Sequence, residues 1–378
     1  MLAIKNRSIL HHNGQPIHLR SIGLGGWLMM EGYMLGGENI AESIFKKNLR
    51  QDAGDDLAAE FTFEFRNRFI TANDFKIIKD LGFNCVRLPF NYRLLEQDPE
   101  LVYLGGIIEQ ITKQGLYVIL DMHAVPGAQN PDWHADASGH ALFWEDKKHR
   151  DHYLKLWGQL SRKFKDHKMI AGYDIMNEPV TDKPELLHAV FKNTIDIIRK
   201  NGDQHIIFLE GNNWARDVEP IHDLFSDNVA LSIHFYDPFK FTFDNDPTLT
   251  YPGEVDGLFW DKETIRQALK KYALLKVPVL VGEFGVAGSF KPDKLQWVKD
   301  MLVVFKEFGF HWSYWTFKSV AGTNFPDGIF TYPQGGEIRG MEQIGKQLLD
   351  DKNSFYEALN TVNFNLNQPL VEVLKHAQ

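Results

Sequence analysis

Residues 172–178 read GYDIMNE and residues 279–285 read VLVGEFG, two short apolar runs that each deliver a carboxylate, Glu178 and Glu283, at their C-terminal ends. Each carries β-branched or aromatic residues, is bounded by turn formers and is too short for a buried helix, so each reads as a strand. Runs of the same kind occur at HLRSIGL (18–24), NCVRLPF (84–90), YVILDMH (117–123), HIIFLEG (205–211), ALSIHFY (230–236) and HWSYWTF (311–317), which makes eight in all. Stretches of helical period lie between them. Eight strands, each followed by helix, is the arithmetic of an α/β protein of the (β/α)₈ TIM barrel type, with long loops on the C-terminal face. A doubly wound sheet would need fewer strands and a Gly-rich phosphate turn after the first. The turn that is present, Gly23-Leu24-Gly25-Gly26-Trp27, lacks that spacing and reads as a tight turn under a pocket.

Outside the strands, residues 3–18 alternate around Asn13-Gly14 and predict a short N-terminal β-hairpin closing one end of the fold. Thr71 to Asp74 resembles a capping box, starting a helix that closes at Gly82. In residues 184–202, Leu187, Val190, Phe191, Thr194, Ile195 and Ile198 share one helical face. Residues 32–60 read as a loop long enough to cap a cleft. With no repeat, low-complexity tract or Pro/Gly/Ser linker, residues 1–378 are expected to form a single catalytic domain.

Composition narrows the partners. Lys and Arg number 41 against 50 Asp and Glu, a net charge of −9, which argues against nucleic acid or an anionic membrane as partner. The 44% apolar, 24% charged make-up is that of a globular protein, and the lone Cys85 allows no internal disulfide. No apolar run reaches the roughly 18 residues of a membrane span, and the N-terminus lacks the basic and apolar regions of a signal peptide. The expectation is a monomer in the cytoplasm.

In a barrel of this kind the working residues stand at the C-terminal strand ends and on the following loops. Those ends carry Trp27 and Glu31, Arg87, His123, Asn177 with Glu178, His234 with Tyr236, Glu283 and Trp315. Two facing carboxylates are the minimum equipment for glycoside hydrolysis: one protonates the leaving oxygen, the other stays ionised to attack the anomeric carbon. Arg87 can hold the second ionised, and Tyr236 can donate to it. Asn177 can donate to a sugar 2-hydroxyl, and Trp315 offers an apolar floor for a pyranose ring.

Taken together, Asn84-Cys85-Val86-Arg87-Leu88-Pro89, Asp121-Met122-His123, Asn177-Glu178-Pro179, His234-Phe235-Tyr236, Gly282-Glu283-Phe284-Gly285 and Trp315 resemble glycoside hydrolase family 5, a family of retaining β-glycosidases, over about residues 10–345. The resemblance implies Glu178 as acid/base and Glu283 as nucleophile, with Arg87, His123, Asn177, His234, Tyr236 and Trp315 in supporting positions and no cofactor. Residues 24–31 (LGGWLMME) and Pro126-Gly127-Ala128-Gln129-Asn130 resemble the branch of exo-β-1,3-glucanases and β-glucosidases, which implies that Glu31 and Asn130 bind hydroxyls of a non-reducing-end glucose. The chain departs from that branch at residues 121–127, reading DMHAVPG where the branch has DLHGAPG, and in the run 132–140.

The implied partner is a carbohydrate, a β-linked glucose oligosaccharide or glucoside. Three alternatives stand beside it: an open-cleft endo-β-glucanase or mannanase, a glycosylceramidase-like enzyme, and a non-catalytic sugar-binding barrel. A metal centre built on His123 and His234 is not expected, because zinc barrels of that type place His-x-His on the first strand. His134, His140, His149 and His152 fall on a polar loop and helix start and are expected to face solvent. Phe239, Phe241, Phe243, Tyr251, Phe259 and Trp260 either pack the loop after the sixth strand or wall the pocket. Trp214 and Arg216 are further pocket candidates.

Overall fold

In the computed structural model, which describes residues 1–375, all eight runs form strands. These are β1 (Arg20–Gly23), β2 (Cys85–Asn91), β3 (Tyr117–Ala124), β4 (Ile170–Asp174), β5 (Ile206–Glu210), β6 (Val229–His234), β7 (Val279–Phe284) and β8 (His311–Tyr314). Every neighbouring pair is parallel, and β8 returns to β1, so the sheet closes in chain order into a (β/α)₈ barrel.

The helices that cover the barrel follow from periodicity. Between β1 and β2 lie α1 (Glu42–Ala53), α2 (Asp55–Arg68) and α3 (Ala72–Asp80). The later crossovers use α4 (Val102–Lys113), α5 (Lys147–Phe164), α6 (Pro184–Lys200), α7 (Lys262–Ala273) and α8 (Pro292–Phe308), and α9 (Ile344–Ala358) and α10 (Gln368–Lys375) follow β8. The capping box of α3 is formed, with Asp74 Oδ2 accepting from the Thr71 amide at 2.7 Å. Along α6 the buried residues are Leu187, Val190, Phe191, Thr194 and Ile198, the face that the spacing predicted.

Three expectations need correction. Residues 32–60 are not a capping loop: most of them fold into α1 and the first part of α2, because Phe45, Leu49, Phe61 and Phe65 fall at helical spacing and bury against the barrel. Only the short turn Gly32–Leu35 reaches the pocket. No long helix follows β5, where two single turns, Asn212–Ala215 and Glu219–Ile221, make the crossover. Finally, the first hairpin turn is at Asn6-Arg7, both at positive φ, which brings Ala3–Lys5 against Ser8–Leu10. Asn13-Gly14 closes a second turn through the Leu10–Pro16 bridge.

The hairpin seals the end of the barrel opposite the site. Leu2 and Ile9 pack onto Leu19, Cys85, Ile119, Ala171, Ile206, Phe208, Ala230 and Leu280, a buried plug. At the other end the glycine turn after β1 seats the indole of Trp315. A Cβ at Gly23 would stand 2.7 Å from Trp315 Cε3, and one at Gly25 would stand 2.6 Å from its Cζ2. Side chains at these two positions would push the ring off its place.

Candidate active site

The C-terminal strand ends converge on a cavity of about 420 Å³ lined by Glu31, Tyr33, His123, His134, Glu178, His234, Tyr236, Glu283 and Trp315, among others. That is within the range of small-molecule sites. Beneath it lies a buried charge cluster centred on Arg87. Its Nη1 donates to Glu283 Oε1 at 2.6 Å, Nη2 donates to Asn177 Oδ1 at 2.8 Å, and Nε donates to Asp174 Oδ2 at 3.1 Å. Nη2 also lies 3.1 Å from Asp121 Oδ2 and 3.3 Å from Glu210 Oε1. Burial alone would weaken the charge of this guanidinium, yet the carboxylates around it hold its pKa well above the ordinary value. Asp174 responds in the opposite way: burial first, then Glu210, raises it well above the carboxylate range, against the pull of Arg87.

Glu283 ends β7 and receives a second donor, the Tyr236 hydroxyl, at 2.9 Å on Oε2. A carboxylate held by a guanidinium on one oxygen and a phenol on the other is fixed in orientation and aimed into the pocket. Burial, followed by the charge of Glu283, pushes the Tyr236 phenol well above its ordinary value, so it stays a donor.

Glu178 follows β4 in a left-handed conformation, φ +48°, in the loop 175–178. That loop is pinned from behind. Tyr153 and Trp157 of α5 both donate to the Ile175 carbonyl, and the Gln129 amide donates to the carbonyls of His123 and Asn177. The Glu178 amide donates to Glu210 Oε2 at 2.6 Å. Its carboxyl is gripped on both oxygens, Oε1 by His234 Nδ1 at 2.7 Å and Oε2 by His134 Nε2 at 2.9 Å. Although burial works to raise Glu178, the two histidines hold it well below the carboxylate range. His234 is driven well above its ordinary value despite burial, since Glu210, Glu283 and Glu178 all face it.

The other expected residues take distinct places. Glu31 is buried on the pocket wall with Oε1 unpartnered, 4.0 Å from His123 Nε2. Burial raises its carboxyl well above the usual range; His134 opposes this, while Glu283 and Glu178 add to it. His123 donates from Nδ1 to Asp121 Oδ2 at 2.8 Å, and its ring lies parallel to that of Trp315. Trp315 in turn donates from Nε1 to the Tyr33 hydroxyl at 2.6 Å. Asn177 keeps a buried, unpartnered Nδ2. Asn130 is fully buried and off the pocket wall: its Nδ2 donates to the Glu178 carbonyl at 2.9 Å, so it supports the loop.

Of the aromatic residues after β6, Phe239 and Phe243 line the pocket, Phe241 and Tyr251 are buried packing, and Phe259 is exposed. Trp214 and Arg216 reach the rim, where Trp214 Nε1 donates to Asp132 Oδ2 at 2.7 Å and ties the β5 loop to the β3 loop. Asn213, Trp214 and Ala215 are all left-handed, the backbone bend that turns this indole toward the β3 loop.

Two residues escaped the sequence reading. His134 was expected to face solvent, but the single turn Trp133–Ala135 folds it against Glu178. Glu210, at the end of β5, was passed over although it stands after an apolar run just as Glu178 and Glu283 do. Glu178, His234 and Glu283 each offer one atom within 4.8 Å of the others, the spacing of a metal group. These atoms are already engaged by protein groups, His234 Nδ1 with Glu178 Oε1 and the two oxygens of Glu283 with Arg87 and Tyr236.

Residues 53–320 match the model of the cellulase family, glycosyl hydrolase family 5. The chain belongs to glycosyl hydrolase family 5. This glycosidase is 32% identical to a β-xylosidase of Phanerodontia chrysosporium, over 84% of this chain and 71% of that one. It is 24% identical to endoglucanase C of Acetivibrio thermocellus (69% and 87%) and 25% identical to the probable glucan 1,3-beta-glucosidase A of Emericella nidulans (59% and 58%). Among solved structures, Cel5A of Thermotoga maritima superposes with a TM-score of 0.63 at 19% identity, covering 95% of this chain and 97% of that one, a likeness of fold. The family 5 enzyme is thus a glycoside hydrolase, and its barrel is that of its relatives.

Proposed function

We propose that this glycoside hydrolase, acting on β-glycosides, is a retaining exo-acting enzyme that releases single β-linked glucose units from short β-glucans or glucosides. Glu283 attacks the anomeric carbon while Glu178 protonates the departing oxygen; Glu178 then takes a proton from the water that releases the glycosyl-enzyme. The observation that carries this reading is the pairing of the two carboxyls: an oxygen of each lies within 4.8 Å of the other, with Arg87 and Tyr236 both on Glu283. Retaining catalysts need carboxyls about 5–5.5 Å apart, and inverting ones need a wider gap for water.

Exo action is supported by the wall beside Glu31 and Trp315. Tyr33 stacks on Phe325 at 4.5 Å, and Trp133 packs edge-on against both, where an open cleft would continue past the sugar. Relatives named as a β-xylosidase and as a glucan 1,3-beta-glucosidase support it too, whereas the endoglucanase relative favours an open cleft. Products of aryl β-glucoside, aryl β-xyloside, laminaribiose, cellobiose and a long β-glucan decide the matter. Monosaccharide alone is expected, and a ladder of oligomers from the polymer would move the reading to an endo enzyme.

Glu31 is assigned to the hydroxyls of the bound sugar, where a neutral carboxyl can both donate and accept. Among the described residues its buried Oε1 has no hydrogen-bond partner, so the fold gains little from it. Glu31→Ala should lower kcat/KM by about 10- to 100-fold, the worth of hydrogen bonds to sugar, while leaving the melting temperature equal or higher. A lower melting temperature with unchanged kcat/KM would make Glu31 a structural residue.

A further inference from the structure

Both oxygens of Glu178 are held, yet one of them must reach the leaving group. His234, on Oε1, is 3% exposed and has carboxylates at both ring nitrogens, Glu178 Oε1 at 2.7 Å from Nδ1 and Glu210 Oε1 at 3.1 Å from Nε2. An imidazolium suits that position and a neutral ring does not, because the lone pair would face an anion. His134, on Oε2, is different. It lines the pocket, and its Nε2 lies between an acceptor, Glu178 Oε2 at 2.9 Å, and a donor, Asn130 Nδ2 at 3.2 Å. When Nε2 carries a proton, Glu178 accepts it; when Nε2 is bare, the Asn130 amide, already donating one hydrogen to the Glu178 carbonyl, turns its second toward the lone pair. Both protonation states of this nitrogen are therefore satisfied by fixed groups.

We propose that His134 is a positioning residue that shares one proton with Glu178, loading the carboxyl through Nε2 before glycosidic cleavage and taking the proton back during hydrolysis. This rests on Glu178 being the acid/base. In the first step the Nε2 proton passes to Glu178 Oε2 and from there to the glycosidic oxygen; the C–O electron pair leaves with that oxygen as a Glu283 oxygen bonds the anomeric carbon. In the second step water bonds the same carbon, the Glu283 ester breaks, and the water proton returns through Oε2 to Nε2. Around His134 stand Glu178 from the β4 loop, Glu31 from the β1 turn, His123 at the end of β3 and Asp132 on its own loop. Through Glu178 it also feels His234, Glu283 and Arg87. Burial lowers the His134 pKa, but the hydrogen bond to Glu178, with the charges of Glu178, Asp132 and Glu31, raises it to about 9, so the pair keeps its shared proton well past neutrality.

A pair loses its last proton at a higher pH than Glu178 would beside a neutral partner, so removing the imidazole moves the descending limb of the kcat/KM profile to lower pH. For an alkyl or phenyl β-glucoside, His134→Gln is expected to move that limb acidward by about one pH unit or more, because the second proton site is gone. With a dinitrophenyl glucoside, whose leaving group needs no proton, the loss should be smaller by about tenfold or more. Glu178→Gln, run beside it, must show the same preference for the activated substrate. If it does not, the reading of Glu178 fails, and if it does while the His134→Gln limb stays put, His134 alone is wrong. A uniform loss at every pH and with both substrates would also overturn the proposal. Should His134→Gln fold poorly, the imidazole of the wild type can be titrated by NMR: a His134 pKa near 9 that falls in Glu178→Gln supports the sharing, and one that does not respond refutes it.

Discussion

On the proposed retaining mechanism, replacing Glu283 by Gly will lower kcat/KM for aryl β-glucosides by about 10³-fold or more, since the variant would have no group to form the covalent intermediate. The carboxylates beneath the pocket cannot substitute. Asp121, Asp174 and Glu210 are fully buried beneath the pocket and held at Arg87. The loss should be partly reversed by azide, which can occupy the space of the missing carboxyl. Attack from that side inverts the centre once, so a β-glucoside gives an α-glucosyl azide. The same anion added to Glu178→Ala enters from the opposite face after Glu283 has reacted, and gives the β-azide. Product anomer thus separates the two roles, and a variant at position 283 that retains wild-type rates would sink the nucleophile assignment.

The second large effect lies on stability as well as rate. Arg87 has no exposed surface, and its guanidinium faces Asp121, Asp174, Glu210 and Glu283. Arg87→Ala leaves these acids in one buried volume without it, a change that costs about 3–5 kcal/mol of folding stability when a buried pair is broken. The cost will depend on pH. Asp174 is already raised above its unfolded value by burial and by Glu210. A carboxyl raised in the folded state binds more protons there than in the unfolded chain, so its contribution to stability falls as pH rises from the unfolded pKa through the folded one. Arg87 pulls Asp174 back down, so removing the guanidinium raises this carboxyl further and deepens the loss. Denaturant unfolding at pH 5 and pH 8 should show a wider gap between variant and wild type at pH 8, and an equal gap at both would show that Asp174 does not set the cost.

Asp121, Asp174 and Glu210 also mark where sequence reasoning reached its limit. All three are visible in strands that were identified from their sequence, but a catalyst needs only two carboxylates, and nothing in the spacing says which acids are buried under Arg87 and which face the pocket. His134 was less legible still. The run 131–140 has no helical or alternating period, so the side-chain directions there are set by contacts: Trp133 against Tyr33 and Phe325, Asp132 to Trp214, Asn130 to the Glu178 carbonyl. Residues 32–60 show the opposite error, since Phe45 and Leu49, continued by Phe61 and Phe65 just beyond, carry a helical period that loop length alone does not reveal.

What the sequence alone determined is the barrel and the rim. A strand of five or six residues announces itself by local composition, its C-terminal end follows from chain direction, and the closure of eight parallel strands leaves those ends on one face. Arg87, His123, Asn177, Glu178, His234, Tyr236, Glu283 and Trp315 therefore fall on one rim from the sequence alone. What only the tertiary structure decided is the protonation chemistry: which histidine is locked between two carboxylates, which one stands between a donor and an acceptor, and which acids share a single guanidinium. Those are differences of an ångström between groups far apart in the chain, and electrostatic energies in a buried site turn on such distances while local sequence pattern does not record them.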